Sequence, residues 1–414
     1  MWRFAASALL AGLNLLAATS GDVSQDEFRS RRAALRKTLD GAMVLFGQRE
    51  GSDEIFRFRQ EPNFYYLTGW TQPGAILLLT PSKEELFLPH HNERAERFLG
   101  KRSSAEDQNV HDVTGFDLVL PIEKFESELA QALSQFENLY ALPKQAGTAK
   151  IAALYPFREI TDAAPVVTKL RVKKSPAELA AIQHATDVSV EAHRAAWKRM
   201  QPGLYEYQIT ATLMNVYLDR GCEDVAYSPI VGSGPNGTVL HYFGGKRRMD
   251  QGEVVVMDSA AECANYASDI TRTVPAGGKF NQRQRELYNI VLGAQKAAIA
   301  AVKPGIRITG LDNSLAQIAK DYMNAHGKDL HGEPLGKYFT HGLGHQVGLQ
   351  VHDPNVDGPL EAGMVITVEP GLYIPEEGIG IRIEDVVLVT ENGARVLSAA
   401  LPKEPQEIER ALAK

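Results

Sequence analysis

A two-domain α/β protein is the fold class that this sequence predicts, and three observations lead there. The 414 residues exceed the roughly 250 to 300 that a single hydrophobic core organises. Stretches with helical periodicity alternate with short β-branched runs along almost the whole chain. Near the middle stands a helix start with a full set of capping signals, where a second domain would begin. With 44% apolar and 23% charged residues, the composition is that of a globular protein with sizeable buried cores.

At the N-terminus, Phe4 to Ala18 is almost unbroken in apolar and small residues, and Ala18-Thr19-Ser20 suits signal-peptidase cleavage. Residues 1–20 therefore read as a signal peptide, and the mature protein as secreted or periplasmic. Only Arg3 charges the preceding segment, so an uncleaved anchor is the alternative. No later segment reaches the ~18 apolar residues of a membrane helix, so no membrane contact is expected after leader cleavage.

Phe28 to Leu39 follows with helical periodicity, and its Arg29, Arg31, Arg32, Arg36 and Lys37 read as a solvated helix face. Ala42 to Gly47 and Ala75 to Leu79 read as buried strands. The alternation continues to about Val167, so residues 21–168 are expected to form an α/β domain of their own. Ser175-Pro176-Ala177-Glu178 then joins an N-cap serine, a proline at the first helical position and a glutamate placed to close a capping box. A long helix is predicted there, opening a second domain over residues 169–414. Further helices are predicted over Glu206 to Asp219, stopped by Gly221, and Gln282 to Val302, stopped by Pro304-Gly305. Strands are predicted over Glu253 to Asp258, Ser268 to Val274, Met364 to Glu369 and Ile379 to Thr390. The two cysteines, Cys222 and Cys263, read as buried thiols, with one bridge as the alternative. A net charge of -7 argues against nucleic-acid binding, which depends on excess Lys and Arg.

Several of those strands carry acids where apolar residues belong. Val254 to Asp258 is a β-branched run ending in a carboxylate, and Ala267 to Thr271 returns with Asp269. A hairpin would bring the two acids together. Val365 to Glu369 ends in an acid before Pro370-Gly371, and Gly380 to Val387 embeds Glu384 in an apolar strand, with Arg382 on the same face by period-2 alternation. One such acid is easily a surface residue, but four ionised carboxylates in apolar surroundings are costly unless paired or bound to metal. His341-Gly342-Leu343-Gly344-His345 adds an imidazole on a backbone whose glycines allow close approach. Asp258, Asp269, His345, Glu369 and Glu384 form an oxygen-rich set too anionic for one divalent ion, so two are implied. Hard oxygen ligands favour Mn²⁺, with Co²⁺, Fe²⁺ or Zn²⁺ able to substitute.

In their order and wording these motifs resemble the pita-bread metallopeptidases, the group of methionine aminopeptidase, prolidase, aminopeptidase P and creatinase. Met257-Asp258-Ser259-Ala260, Ser268-Asp269-Ile270-Thr271-Arg272, His341 to His345, Val368-Glu369-Pro370-Gly371 and Arg382-Ile383-Glu384-Asp385 carry the resemblance. The aminopeptidase P branch is the best match. Ile230 to Gly237 leading to Leu240-His241-Tyr242 resembles its loop with a first active-site histidine, and Gly348 to Asp353, containing His352, resembles the segment with another. Phe58 to Gly69 resembles the signature of its N-terminal domain. One departure stands at Phe98, aligned where the family carries a tryptophan that closes the substrate site.

The resemblance implies an aminopeptidase P-type α/β domain before a pita-bread catalytic domain. It implies peptide substrates with proline in the second position, cleaved by a water bound between two metal ions, in a homo-oligomer. Asp269 and Glu384 would bridge the ions, Asp258 would hold one, and His345 with Glu369 the other. Glu369 would accept the water's proton, while His241 and His352 would bind the scissile carbonyl and the developing oxyanion. His341, Val351 and Tyr373 are the candidate wall for the proline ring, and Arg382 is a substrate-binding residue or an orienter of carboxylates. The rival readings are a prolidase, which cleaves only dipeptides with the same ligands, and a creatinase-like non-peptidase. His90, His91, His111, His326 and His331 belong to no constellation and read as surface histidines.

Overall fold

The structure, a computed structural model, describes residues 23–50, 58–310 and 312–413, so the predicted leader lies outside it. The chain forms two compact units, one over Val23–Val172 and the other beginning at Lys173.

In the first unit a six-stranded mixed sheet is built from β1 (Gly41–Phe46), β2 (Ile76–Leu79), β3 (Glu84–Leu88), β4 (Val119–Pro121), β5 (Asn138–Ala141) and β6 (Ile160–Asp162), in the order β4-β3-β2-β1-β5-β6. β1 runs antiparallel to β2 and parallel to β5. Val44, Leu78 and Phe87 from the sheet pack with Phe125, Leu129 and Leu133 of the helix Phe125–Gln135 to make the core.

The basic cluster of the helix Gln25–Arg36 departs from expectation, because Arg31 and Arg32 are 4% and 0% exposed. Arg31 donates to the Tyr66 carbonyl and Arg32 to those of Leu67 and Gly115. These carbonyls lie at the ends of the helices Pro62–Thr68 and Val110–Thr114, which lack intrahelical donors there. The guanidinium groups satisfy them, and Arg32 also stacks 3.7 Å over Phe116.

The second unit opens with the helix Pro176–Arg199, whose Ser175–Glu178 capping box forms as its residues require. The helices Glu206–Asp219 and Gln282–Ala301 follow. Its strands are β7 (Asp224–Val225), β8 (Ile230–Ser233), β9 (Val254–Asp258), β10 (Ala261–Cys263), β11 (Tyr266–Ala267), β12 (Thr271–Pro275), β13 (Val365–Val368), β14 (Gly371–Ile374), β15 (Ile379–Arg382), β16 (Asp385–Thr390) and β17 (Gly393–Val396). They form the small sheets β12-β9-β8, β11-β10-β7, β13-β16-β17 and β14-β15.

Three details differ from the sequence reading. First, β9 and β12 pair antiparallel with Asp258 opposite Thr271, but a smaller hairpin, β10–β11, is inserted between them. Its tip uses Ala264 and Asn265 at φ of 51° and 64°. Second, the strand predicted over Ile379 to Thr390 breaks after Arg382, because β15 pairs with β14 whereas β16 pairs with β13. At the break the backbone N–H groups of Ile383 and Glu384 donate to Pro370 and Thr271 carbonyls instead. Third, Cys222 and Cys263 are joined in a disulfide rather than held as two thiols. The pairing of β7 with β10 places them together, and no local sequence signal announces that pairing.

Candidate metal centre and active site

The five predicted ligands come from separate stretches of the chain that the small sheets bring to one place. Asp258 ends β9, and Asp269 stands just before β12 across the hairpin. Glu384 occupies the β15–β16 break, where its backbone bond to Thr271 and a 2.7 Å bond from the Thr271 hydroxyl aim its carboxylate at Asp269. His345 and Glu369 are coupled through β13. The segment Leu343–Val347 runs along that strand, with Val347 donating to Val365, Thr367 to His345 and Glu369 to Leu343. This extended segment needs Gly344, since a Cβ there would collide with the Thr367 carbonyl.

Ligand atoms of Asp269, His345 and Glu384 lie within 4.8 Å of one another. His345 Nε2 sits 3.4 Å from Asp269 Oδ2 and 3.6 Å from Glu369 Oε1. Its Nδ1 lies 3.0 Å from the Gln346 carbonyl, which can only accept, so Nδ1 carries the proton and Nε2 faces the acids. The electrostatics are those of a site short of positive charge. Burial and neighbouring carboxylates push Glu369 up to about 8 and Glu384 well above the carboxylate range. Burial raises Asp258 as well, against the opposing pull of Arg382. Burial opposes charge on His345, yet Asp269 and Glu369 outweigh it and raise the imidazole to about 9. Divalent cations would relieve each of these penalties at once, so the donor set fits the ions it implies.

Around the ligands lie the other predicted residues. Arg382 is buried and donates to Asp258 Oδ2 at 2.5 Å and to the Tyr373 hydroxyl at 2.7 Å. Tyr373 in turn meets His341 Nε2 at 2.9 Å, so these three form one chain. Burial holds His341 down at about 4, hence neutral. His352 packs edge-on to His345 with ring centroids 4.2 Å apart, and burial together with the His345 charge lowers its pKa. His241 is exposed on an irregular loop, near enough to His341 and His352 to interact electrostatically with both. Val351 is half-buried, and its placement here rests on adjacency to His352.

Tyr227 was not foreseen. Its buried hydroxyl reaches Asp258 Oδ1 at 2.5 Å and Asp269 Oδ1 at 2.6 Å. No motif marks it, because its segment reaches the acids through the β7–β10 pairing on one side and the β8–β9 pairing, with Ile230 opposite Asp258, on the other. Lys174 and Asp353 form an ion pair buried at 0% and 2% exposure beside His352, also without local signal.

Residues 180–391 match the model of metallopeptidase family M24, and residues 28–140 that of the aminopeptidase P N-terminal domain. A Xaa-Pro aminopeptidase of Haemophilus influenzae is 34% identical, the match covering 93% of this chain and 96% of that protein. A Xaa-Pro dipeptidase of Pyrococcus horikoshii is 33% identical over 86% of this chain and 95% of its own. The solved structure of aminopeptidase P from E. coli with the inhibitor Pro-Leu superposes with a TM-score of 0.84 at 32% identity, covering 94% of this chain and 98% of that one. The catalytic unit thus has the pita-bread fold, and the chain is a metal-dependent hydrolase that belongs to metallopeptidase family M24, with an aminopeptidase P-type domain ahead of the catalytic one.

Proposed function

We propose that this protein removes the first residue from peptides that carry proline in the second position. The observation that carries this reading is the convergence of four carboxylates and His345 with the neutral His341–Tyr373 pair and His352. The activities of the aminopeptidases named above support it. Asp258, Asp269, His345, Glu369 and Glu384 would hold two divalent ions, which the oxygen-rich set suits to Mn²⁺. Bound there, the ions supply Lewis acidity and acidify the attacking water.

Glu369, with the Thr367 hydroxyl 3.3 Å from Oε1, accepts the water's proton. His352 and His241 donate to the scissile carbonyl oxygen and the developing oxyanion, and a histidine returns a proton to the leaving proline nitrogen. Proline presents a compact ring and no N–H, so its pocket needs a wall rather than an acceptor. His341, Tyr373 and Val351 supply that wall, and Arg382 fixes both Tyr373 and Asp258 from behind. Export of the mature protein and a homo-oligomeric state complete the proposal, the first supported by the apolar segment Phe4 to Ala18.

The test is hydrolysis of a Xaa-Pro-Xaa tripeptide beside a Xaa-Pro dipeptide by protein lacking residues 1–20, with Mn²⁺ added or chelated. Mn²⁺-dependent tripeptide cleavage, abolished in Glu369→Ala and Asp269→Ala with the fold intact, is the expected result. Cleavage of the dipeptide alone would make the enzyme a prolidase, and inactivity on both would place it with the non-peptidase relatives.

A further inference from the structure

His241 is reached through an irregular stretch, residues 242–247, that has no ladder of its own. A loop of that kind holds one position only if its polar groups find partners elsewhere. Those partners converge on one side chain. Glu206, the first residue of the helix Glu206–Asp219, is 0% exposed and its carboxylate receives five hydrogen bonds. Oε1 accepts from the backbone N–H and hydroxyl of Ser233, both at 2.8 Å, and from Asn236 Nδ2 at 3.0 Å. Oε2 accepts from the Tyr242 hydroxyl at 2.9 Å and the Arg247 backbone N–H at 3.1 Å.

The donors thus come from the end of β8, from the turn after it and from both ends of the stretch that follows His241. The backbone repeats the attachment, with Glu206 N–H donating to Arg247 and Tyr207 N–H to Gly245. Arg247 closes the arrangement by donating to the Ser233 hydroxyl at 2.9 Å and to Glu253 at 2.6 Å. A carboxylate is suited to this place because it accepts on every lone pair and donates nothing. A buried one without such donors would be too costly to keep.

We propose that Glu206 is a positioning residue for His241, fixing the loop on both sides of that imidazole so that the ring is held at the carboxylate cluster. This rests on the reading of His241 as a group that acts on substrate. Misplacement of a substrate-facing group by about an ångström costs up to roughly a hundredfold in rate, so a loosened anchor should be felt in turnover.

The experiment is a double-mutant cycle on the Mn²⁺-loaded enzyme, with kcat and KM on a Xaa-Pro-Xaa tripeptide, bound metal per chain and melting temperature all recorded. Glu206→Gln turns one acceptor into a donor facing other donors and should lower kcat by roughly tenfold or more, with metal content unchanged. In the His241→Ala background the same change should cost less than about twofold, because the group being positioned is gone. Tyr242→Phe removes one of the five bonds without touching the buried carboxylate, and carries the same cycle if Glu206→Gln does not fold. Equal losses in both backgrounds, or no loss from either variant, would overturn the proposal while leaving His241 in its role. Wild-type turnover by His241→Ala would instead overturn the reading of His241 itself, and this proposal with it.

Discussion

Asp385 sits one residue beyond the candidate ligand Glu384, and replacing it with asparagine should unfold the catalytic unit early. Its carboxylate is 0% exposed and is met by Arg272 at 2.7 Å, Lys403 at 2.5 Å, Ser398 at 2.7 Å and Gln295 at 3.1 Å. Burial opposes its ionisation, yet the Arg272 and Lys403 charges hold it well below the usual carboxylate range. Arg272 is equally buried and also donates to the carbonyls of Thr271, Glu384, Leu401 and Pro402, so it clamps the chain at Glu384 from behind. Asp385→Asn keeps the shape and one acceptor but leaves the guanidinium charge uncompensated. Breaking a buried pair in this way costs about 3 to 5 kcal/mol, and the retained acceptor favours the lower end. At about 2 to 4 °C per kcal/mol for a unit of this size, the melting temperature should fall by roughly 6 to 12 °C. Calorimetry and urea denaturation of the metal-loaded variant measure this directly. Lys403→Met, which removes the partner whose side chain is 21% exposed, should cost about 1 kcal/mol. A loss under about 1 kcal/mol for Asp385→Asn, or equal losses for the two variants, would refute the argument.

Three further outcomes are expected. Glu384→Gln should stabilise the chelated protein by about 1 kcal/mol or more, since it removes a carboxyl whose ionisation burial and the neighbouring carboxylates oppose in the folded state alone. Saturating Mn²⁺ should reverse that order in a thermal-shift titration, because the wild type alone keeps its full ligand set. His193 is fully buried and held at about 4, against an ordinary 6.5, so the unfolded chain takes up its proton first on acidification. Stability is therefore intact above pH 6.5 and falls by about 3 kcal/mol down to pH 4, a loss that His193→Gln should lack in denaturation curves at matched pH. Reducing Cys222–Cys263, separated by 41 residues, should lower stability by about 4 kcal/mol on the loop-entropy argument, and denaturation with and without a phosphine reductant checks it. An unchanged midpoint would mean that the β7–β10 pairing holds the two segments without the bridge.

How much of the site was legible depended on whether a residue carries its own local signal. The four acids among the candidate ligands stood out because carboxylates at the ends of apolar strands conflict with burial, and only paired charge or metal removes the conflict. His241 and His352 became candidates through the motifs around them. Arg382 was placed on the same face as Glu384 by strand periodicity, but its partners Asp258 and Tyr373 were not. Tyr227, Lys174 and Glu206 were invisible, since each is an ordinary residue type whose role comes from partners up to 179 positions away. The basic helix misled for the same reason. Arg31 and Arg32 have the sequence pattern of a solvated face, yet helix-end carbonyls 35 residues onward draw them inside.

By itself, the sequence determined the two-domain α/β organisation, the helix starts at Ser175 and near Gln282, and the identity of the candidate ligands. Capping, periodicity and the cost of a buried charge all act within a few residues of the chain. Tertiary structure alone decided that Cys222 meets Cys263, that the strand breaks between Arg382 and Asp385, and that one buried carboxylate gathers the loop behind His241. Those outcomes depend on which strand pairs with which across long separations. That choice follows from packing summed over the whole unit, for which no single stretch of sequence carries a signal.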